Sequence, residues 1–404
     1  TEVQITRYRR VSTKGKTLYQ LVFNITPFYG ESGGQVGDRG WLISETEKIN
    51  VLDTHKENGL TVHITDRLPE DLTQVFTAKV DLDKRVATEN NHTSTHLLHY
   101  ALRKVLGTHV EQKGSYVSDE YLRFDFSHFQ KVTDEELEKV AAIVNQEIGK
   151  NSPLEESRAI PIGQAKKMGA MAIFGEKYGD LVRVVKFGES VELCGGTHAH
   201  ATGQIGFFKI ISESSVSAGV RRIEAITAAK AEEYILNYFK MLKEIDSMFK
   251  SNRGVLENVR ELLNENEGLR KDVEKFTQES LRIMKEGWKN EKRVIRDINM
   301  IVKTVMMSPA NVKDIAFQLK GELNNLILVI GGVFNNKPHL TVMFSDSLVK
   351  DFGLHAGQLV KDAAQEIKGG GGGQPFFATA GGSNPEGISK ALERAEKLIL
   401  DKIH

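Results

Sequence analysis

Four residues in this sequence have the types and spacing of a metal site. His92 and His96 stand four apart in Asn91-His92-Thr93-Ser94-Thr95-His96-Leu97-Leu98, just ahead of an apolar run. On a helix both rings leave one face, a turn apart, and can grip a single ion. Far downstream, Cys194-Gly195-Gly196-Thr197-His198 repeats the spacing of four, and Cys194 is the only cysteine. Zinc favours four N or S ligands, and two clamps of two ligands from distant segments supply them. The separation rules out a zinc finger and points to a junction between a helix and a Gly-rich turn. Gly195 and Gly196 would let the chain fold tightly around the ion. Spacing alone leaves rivals open. His99, seven residues after His92, could replace a helical ligand, and His200 could replace His198. Cys194 could instead be a thiol nucleophile with a histidine base.

The elements that must position these residues can be read in order. Residues 1–85 alternate as short strands (Leu18–Phe23, Trp41–Ser44, Leu60–Ile64, Val75–Val80) broken by Gly- and Asn-bearing turns, which predicts a small β-barrel that hides its edges. Within it, Thr26–Asp38 is too rich in glycine for a strand interior and suits either a backbone that closely approaches a ligand or a plain turn. From Arg85 the pattern becomes helical and carries the His pair. Tyr121–Phe126 reads as a strand, and Thr133 caps a helix running to about Ile148. Strands around Leu181–Phe187 and Ile205–Ile211 flank the Cys–His pair, so residues 86–228 read as an α+β core that binds zinc.

Residues 229–300 are dense in both charges and have apolar residues at helical spacing (Tyr234, Tyr238, Leu242, then Leu262, Leu269, Val273, Phe276). They read as a helical hairpin or coiled coil, with breaks possible at Asn252-Arg253-Gly254 or at Gly268. Its basic end (Arg282, Lys285, Lys289, Lys292, Arg293, Arg296) is either a phosphate contact or a solvated face. Residues 301–404 form a C-terminal α/β globular unit with strands Leu326–Ile330 and Leu340–Phe344 and helices Leu354–Ile367 and Ile388–Ile403. Five consecutive glycines, Gly369–Gly373, suit an exposed-amide loop for phosphate or sugar, or a flexible linker. The fold class is thus α+β multidomain.

Composition bounds the function. With 54 Lys+Arg against 54 Asp+Glu in 404 residues, a nucleic acid would have to be met by local patches rather than bulk charge. One cysteine excludes an internal disulfide and suggests a reducing, cytoplasmic setting. Thr1–Arg10 is polar and basic, without the apolar core expected of a signal peptide, and no apolar run approaches membrane length. Gly15-Lys16-Thr17 resembles the end of a phosphate loop, but Arg10 occupies the position of the required first glycine.

Beyond these readings, Thr26–Asp38, His92–Leu98, Gly114–His128, Cys194–His198 and Gly219–Ala225 closely resemble the editing domain of alanyl-tRNA synthetases, and the last third resembles that family's C-terminal domain. The C-terminal domain is shared with some phosphoesterases, but no Asp-His-His motif accompanies it here. The resemblance implies hydrolysis of tRNA-Ala wrongly charged with serine or glycine, at a zinc held by His92, His96, Cys194 and His198. It implies recognition of the serine hydroxyl by Thr26 in a pocket shaped by Gln35. It also implies tRNA contacts by Arg221 and Arg222 (otherwise surface ion pairs) and by the C-terminal domain, and a homodimer through the helical region, with neither membrane nor DNA as partner. Zinc there would either activate water or, with four protein ligands, order the pocket; an open or exchangeable fourth position is expected. The competing expectation is a tRNA-binding and dimerising module with little hydrolysis of its own. Nothing in the chain reads as a separate ATP-dependent amino-acid-activating domain. A start at Thr1 rather than Met favours part of a full synthetase over a free-standing editing protein.

Overall fold

Alternating apolar residues build the first sheet. In the computed structural model, which describes residues 1–13, 15–171, 179–251 and 253–403, the chain divides into two compact units, Thr1–Met248 and Phe249–His404. The first unit opens with β1 (Glu2–Val3), β2 (Ile5–Thr13), β3 (Lys16–Phe23), β4 (Gly40–Ile43), β5 (Lys48–Glu57), β6 (Leu60–Thr65) and β7 (Phe76–Val80). They form one antiparallel sheet in the order β1-β7-β4-β5-β6-β3-β2. Its two edge strands are consecutive in the chain, so the sheet curls into a half-barrel around Leu21, Phe23, Phe28, Leu42, Ile49, Val51 and Phe76.

The Gly-rich loop between β3 and β4 is anchored to its neighbours by backbone hydrogen bonds. Val36 N donates to Val117 O, Val117 N to Gly34 O, and Glu31 N to Thr54 O. A Cβ on Gly34, whose φ is +85°, would meet Ser115, and one on Gly37 would lie 1.9 Å from Thr54 O. These glycines therefore allow strand-to-loop contact within the protein.

Helix α1 (Leu82–Leu106) starts where Asp81 accepts from Lys84 N. From Asn90 to His99 every residue is buried, although most are polar. A helix enclosed on all sides by protein must satisfy such groups internally. Asn91 Nδ2 donates to Ser118 O, Thr227 Oγ1 to Asn91 Oδ1, and Thr95 Oγ1 to Asn91 O.

The strands β8 (Gln112–Val117) and β9 (Leu122–Ser127) follow, then α2 (Asp134–Gly149), β10 (Glu155–Pro161), α3 (Ile162–Lys167), β11 (Leu181–Phe187), β12 (Ser190–Leu193), β13 (Phe208–Ser217) and β14 (Val220–Thr227). Thr133 and Glu136 form the expected capping box at the start of α2. The sheet β13-β14-β9-β8 packs against α1 and α2 through Leu97, Leu98, Leu102, Phe124, Phe126, Val140, Val144 and Ile223. The smaller sheet β10-β11-β12 delivers Cys194 from the end of β12. Helix α4 (Ala228–Ser247) closes this unit.

In the second unit, α5 (Val255–Asn290) continues unbroken through Gly268. The chain is non-helical at residues 248–251 and 253–254, and Asn252, part of the expected break, lies outside the described residues. Strands β15 (Arg293–Ile295), β16 (Ile298–Val305), β17 (Leu326–Phe334), β18 (Lys337–Phe344), β19 (Gly370–Gly373) and β20 (Phe377–Gly381) form a sheet ordered β15-β16-β17-β18-β20-β19. Only β16 and β17 are parallel. Helices α6 (Pro309–Glu322), α7 (Asp346–Asp351), α8 (Ala356–Ala363) and α9 (Ile388–Ile403) accompany it. One core unites α8 and α9 with the sheet; the other joins Leu281 and Trp288 of α5 to α6. The basic end of the expected helical region is largely engaged within the unit. Lys285 and Lys289 of α5 both donate to Glu322, and Arg293, on β15, to Glu396.

The glycine run is a strand, correcting the expectation of a loop or linker. A Cβ on Gly371 would lie 2.3 Å from Thr379 O and one on Gly373 2.3 Å from Phe377 O, whereas Gly370 and Gly372 have open space. Every second residue must lack a side chain for β19 to lie this close to β20.

Candidate metal centre

Helix α1 carries His92 and His96 on one face, and the turn after β12 carries Cys194 and His198. One ligand atom from each lies within 4.8 Å of all the others. Cys194 Sγ is 3.4 Å from His92 Nε2 and 3.3 Å from His198 Nε2. His200 is outside this group, and His99 turns away to place Nδ1 2.9 Å from Glu192 Oε1. The structure therefore brings together the four residues first singled out and neither histidine rival.

The outer partners prepare these imidazoles as ligands. His92 Nδ1 lies 2.7 Å from Gln35 Oε1, which can only accept, so His92 donates there and keeps its Nε2 lone pair. His198 Nδ1 lies 3.1 Å from Thr93 Oγ1, which also accepts from Ala199 N. Burial, with the neighbouring histidines adding to it, pushes His92 and His198 well below the ordinary histidine range; burial likewise lowers His96. Neutral imidazoles are the form a metal takes. Among the described residues His96 Nδ1, which is buried, has no hydrogen-bond partner, an orphaned nitrogen of the kind a metal would satisfy. A thiol beside three neutral imidazoles is also the donor set zinc prefers. The residues fit the ion.

The turn itself is shaped for contact with His92. A Cβ on Gly196 would stand 2.1 Å from His92 Cε1, whereas Gly195 has nothing within 4 Å. Only the second of the two expected glycines is required by contact. Arg183 braces the turn by donating to the carbonyls of Cys194 and Gly196.

Beside the cluster lies a small cavity of about 170 Å³, walled by His92, His96 and Cys194 together with Tyr29, Ser32, Thr95, Gln112, Ser115 and Glu192. It is well below the roughly 300–1,000 Å³ of drug-sized pockets. Tyr29 donates its hydroxyl to Ser32 O, and burial pushes its own ionisation up to about 12. Gln112, Glu192 and Leu193 escaped sequence reasoning because they lie outside every stretch singled out, whereas Tyr29, Ser32, Thr95 and Ser115 lie within such stretches but had no role assigned.

The remaining expected site residues sit elsewhere. Thr26 Oγ1 is 2.8 Å from His63 Nε2 and accepts from Phe28 N; Thr26 does not line the cavity. Gln35 is fully buried and serves as a strut, donating to Thr197 Oγ1 while its carbonyl faces Thr197 N and His92. Arg221 makes a two-point pair with Glu213, and Arg222 one with Asp125, so both guanidiniums are occupied by carboxylates.

Comparison with known proteins places this site in context. Residues 182–224 match the model of the Threonyl and Alanyl tRNA synthetase second additional domain, 4–86 that of tRNA synthetases class II (A), and 297–401 that of the DHHA1 domain. The chain is 55% identical over 398 residues to an alanine–tRNA ligase of Bacteroides fragilis, covering 98% of this chain and 46% of that one. It is 51% identical to the one of Parabacteroides distasonis and 49% identical to that of Cytophaga hutchinsonii, with the same coverage. The chain thus spans about half the length of the curated relatives it matches.

Proposed function

The chain is homologous, over 98% of its own length, to the C-terminal half of alanine–tRNA ligases, and on that footing we propose that it hydrolyses the ester of tRNA-Ala mischarged with serine or glycine. The observation that carries this reading is the His92–His96–Cys194–His198 cluster opening on a small polar cavity. A pocket that selects alanine cannot strongly reject smaller glycine, nor serine that only adds a hydroxyl, so a second hydrolytic site is the physical remedy. A cavity of this size with hydroxyl and amide groups on its wall suits an aminoacyl group. Alanine would leave unpaired a group that the serine hydroxyl satisfies, at a cost of about 1–3 kcal/mol, so this term separates serine from alanine; separating glycine from alanine falls to a steric bar against the alanine methyl.

His92, His96, Cys194 and His198 would hold zinc, which when bound supplies Lewis acidity and order to the cavity wall. The chain's own residues do the rest. Gln35 and Thr93 fix the orientation of His92 and His198. Thr26 holds His63 and Phe28 N and thereby the start of the Gly-rich loop. Selection of the serine hydroxyl is assigned to the wall, with Thr26 and Gln35 as positioning residues. We assign tRNA-Ala as the partner of the C-terminal domain, and a second copy as the partner of the apolar stripe on α5. In this reading Arg221 and Arg222 reach phosphate only by exchanging it for Glu213 and Asp125.

The test is incubation of trace protein with Ser-, Gly- and Ala-tRNA-Ala. Release of serine and glycine with alanine retained is expected. Tight tRNA binding without turnover would replace this reading with that of a binding module.

A further inference from the structure

Glu192 is a buried charge that the proposed function leaves unused. It lies on β12 at 5% exposure and forms part of the cavity wall. Its nearest side-chain partners among the described residues are two imidazoles: Oε1 is 2.9 Å from His99 Nδ1, and Oε2 is 3.6 Å from His96 Nε2. A carboxylate removed from water is unfavourable by several kcal/mol unless a positive charge stands near it. Three neutral imidazoles and one thiolate leave a divalent ion with one uncompensated positive charge. The two imbalances are adjacent and of opposite sign.

The geometry assigns Glu192 as the positioning residue that balances the charge of the ion through His96, with His99 bracing it from behind. The inference rests on the metal reading of the four ligands. Glu192 supplies no ligand atom to the group of four; it sets how tightly they hold the ion. His99 belongs to the same device, since its Nδ1 hydrogen bond fixes where the carboxylate lies.

The experiment compares the full chain with its E192Q and E192D variants by competition for Zn²⁺ against a chromophoric chelator, and records Tm with and without the metal. Glutamine keeps the shape and removes the charge, so E192Q is expected to bind zinc about 10–100-fold more weakly. Its metal-free Tm should equal or exceed that of the wild type, whereas loss of a merely structural brace would lower it. E192D keeps the charge but draws it back by one methylene; it should lose less affinity than E192Q and gives the answer if E192Q does not fold. Wild-type zinc binding with E192Q unchanged, or with E192D unchanged where E192Q does not fold, overturns the Glu192 inference alone. A wild-type chain that binds no zinc overturns both it and the metal reading beneath it.

Discussion

His92 and His198 each have one nitrogen committed to a fixed oxygen and the other turned towards Cys194 Sγ. That arrangement was legible only in part. The types and spacing of the four ligands stand in the sequence. Gln35 and Glu192 do not announce their roles, because each meets its histidine across a long stretch of chain and belongs to no spaced motif. Gly196 gives the sharpest test at this scale. Gly196→Ala places a methyl 2.1 Å from His92 Cε1, and zinc affinity should fall at least about tenfold, the range seen when support to a ligand is lost. Gly195→Ala has open space and should bind zinc as the wild type does. Equal affinities in both variants would remove the steric argument.

His63 offers a second test, away from the ligands. Stacked on Phe23 and bonded to Leu21 O and Thr26, it is lowered by burial from the ordinary 6.5 to about 4. Between these values the unfolded chain binds a proton that the fold refuses. The contribution is complete above pH 6.5 and declines as the pH falls towards 4, by about 3 kcal/mol in all. Denaturant unfolding of the chelated protein should therefore show a shallower loss over that window in His63→Gln than in the wild type. Identical slopes would mean that His63 takes up its proton in the folded state.

At the scale of elements, periodicity located the helices and strands whose one face is buried, such as β7 and α2. It also placed α1 from Arg85 onward, although the mostly polar stretch Asn90–His99 is buried on every side and has no solvent face to set a period. It could not reveal β19, since five glycines carry no side-chain pattern, and the strand is specified by what its neighbour forbids. Gly371→Ala should therefore lower stability by about 1–3 kcal/mol, as overpacking does. Gly372→Ala, with open space, should stay within about 0.5 kcal/mol. Thermal unfolding of the two variants checks this, and a similar loss in both would show that the run is not held as a ladder.

At the scale of the molecule, the first unit contains the candidate centre and the second a sheet covered by helices on both faces. Among the described residues no helix is long and apolar enough to cross a membrane. In one dimension the basic end of the helical region could be a phosphate contact or a solvated face, and the Arg221–Arg222 pair tRNA contacts or surface ion pairs. In three dimensions most of those cations already have carboxylate partners, and sequence alone cannot show which anion a cation will meet. The proposed activity is removal of serine and glycine from tRNA-Ala by a metal-bearing His₃Cys centre. It is tested most directly by the initial rate of Ser-tRNA-Ala deacylation by chelated protein as zinc is added back, with Ala-tRNA-Ala in parallel. The expected rate rises to a plateau at one zinc per chain, with the alanyl ester intact throughout. Full activity in the metal-free protein, or equal hydrolysis of the alanyl ester, would contradict that proposal.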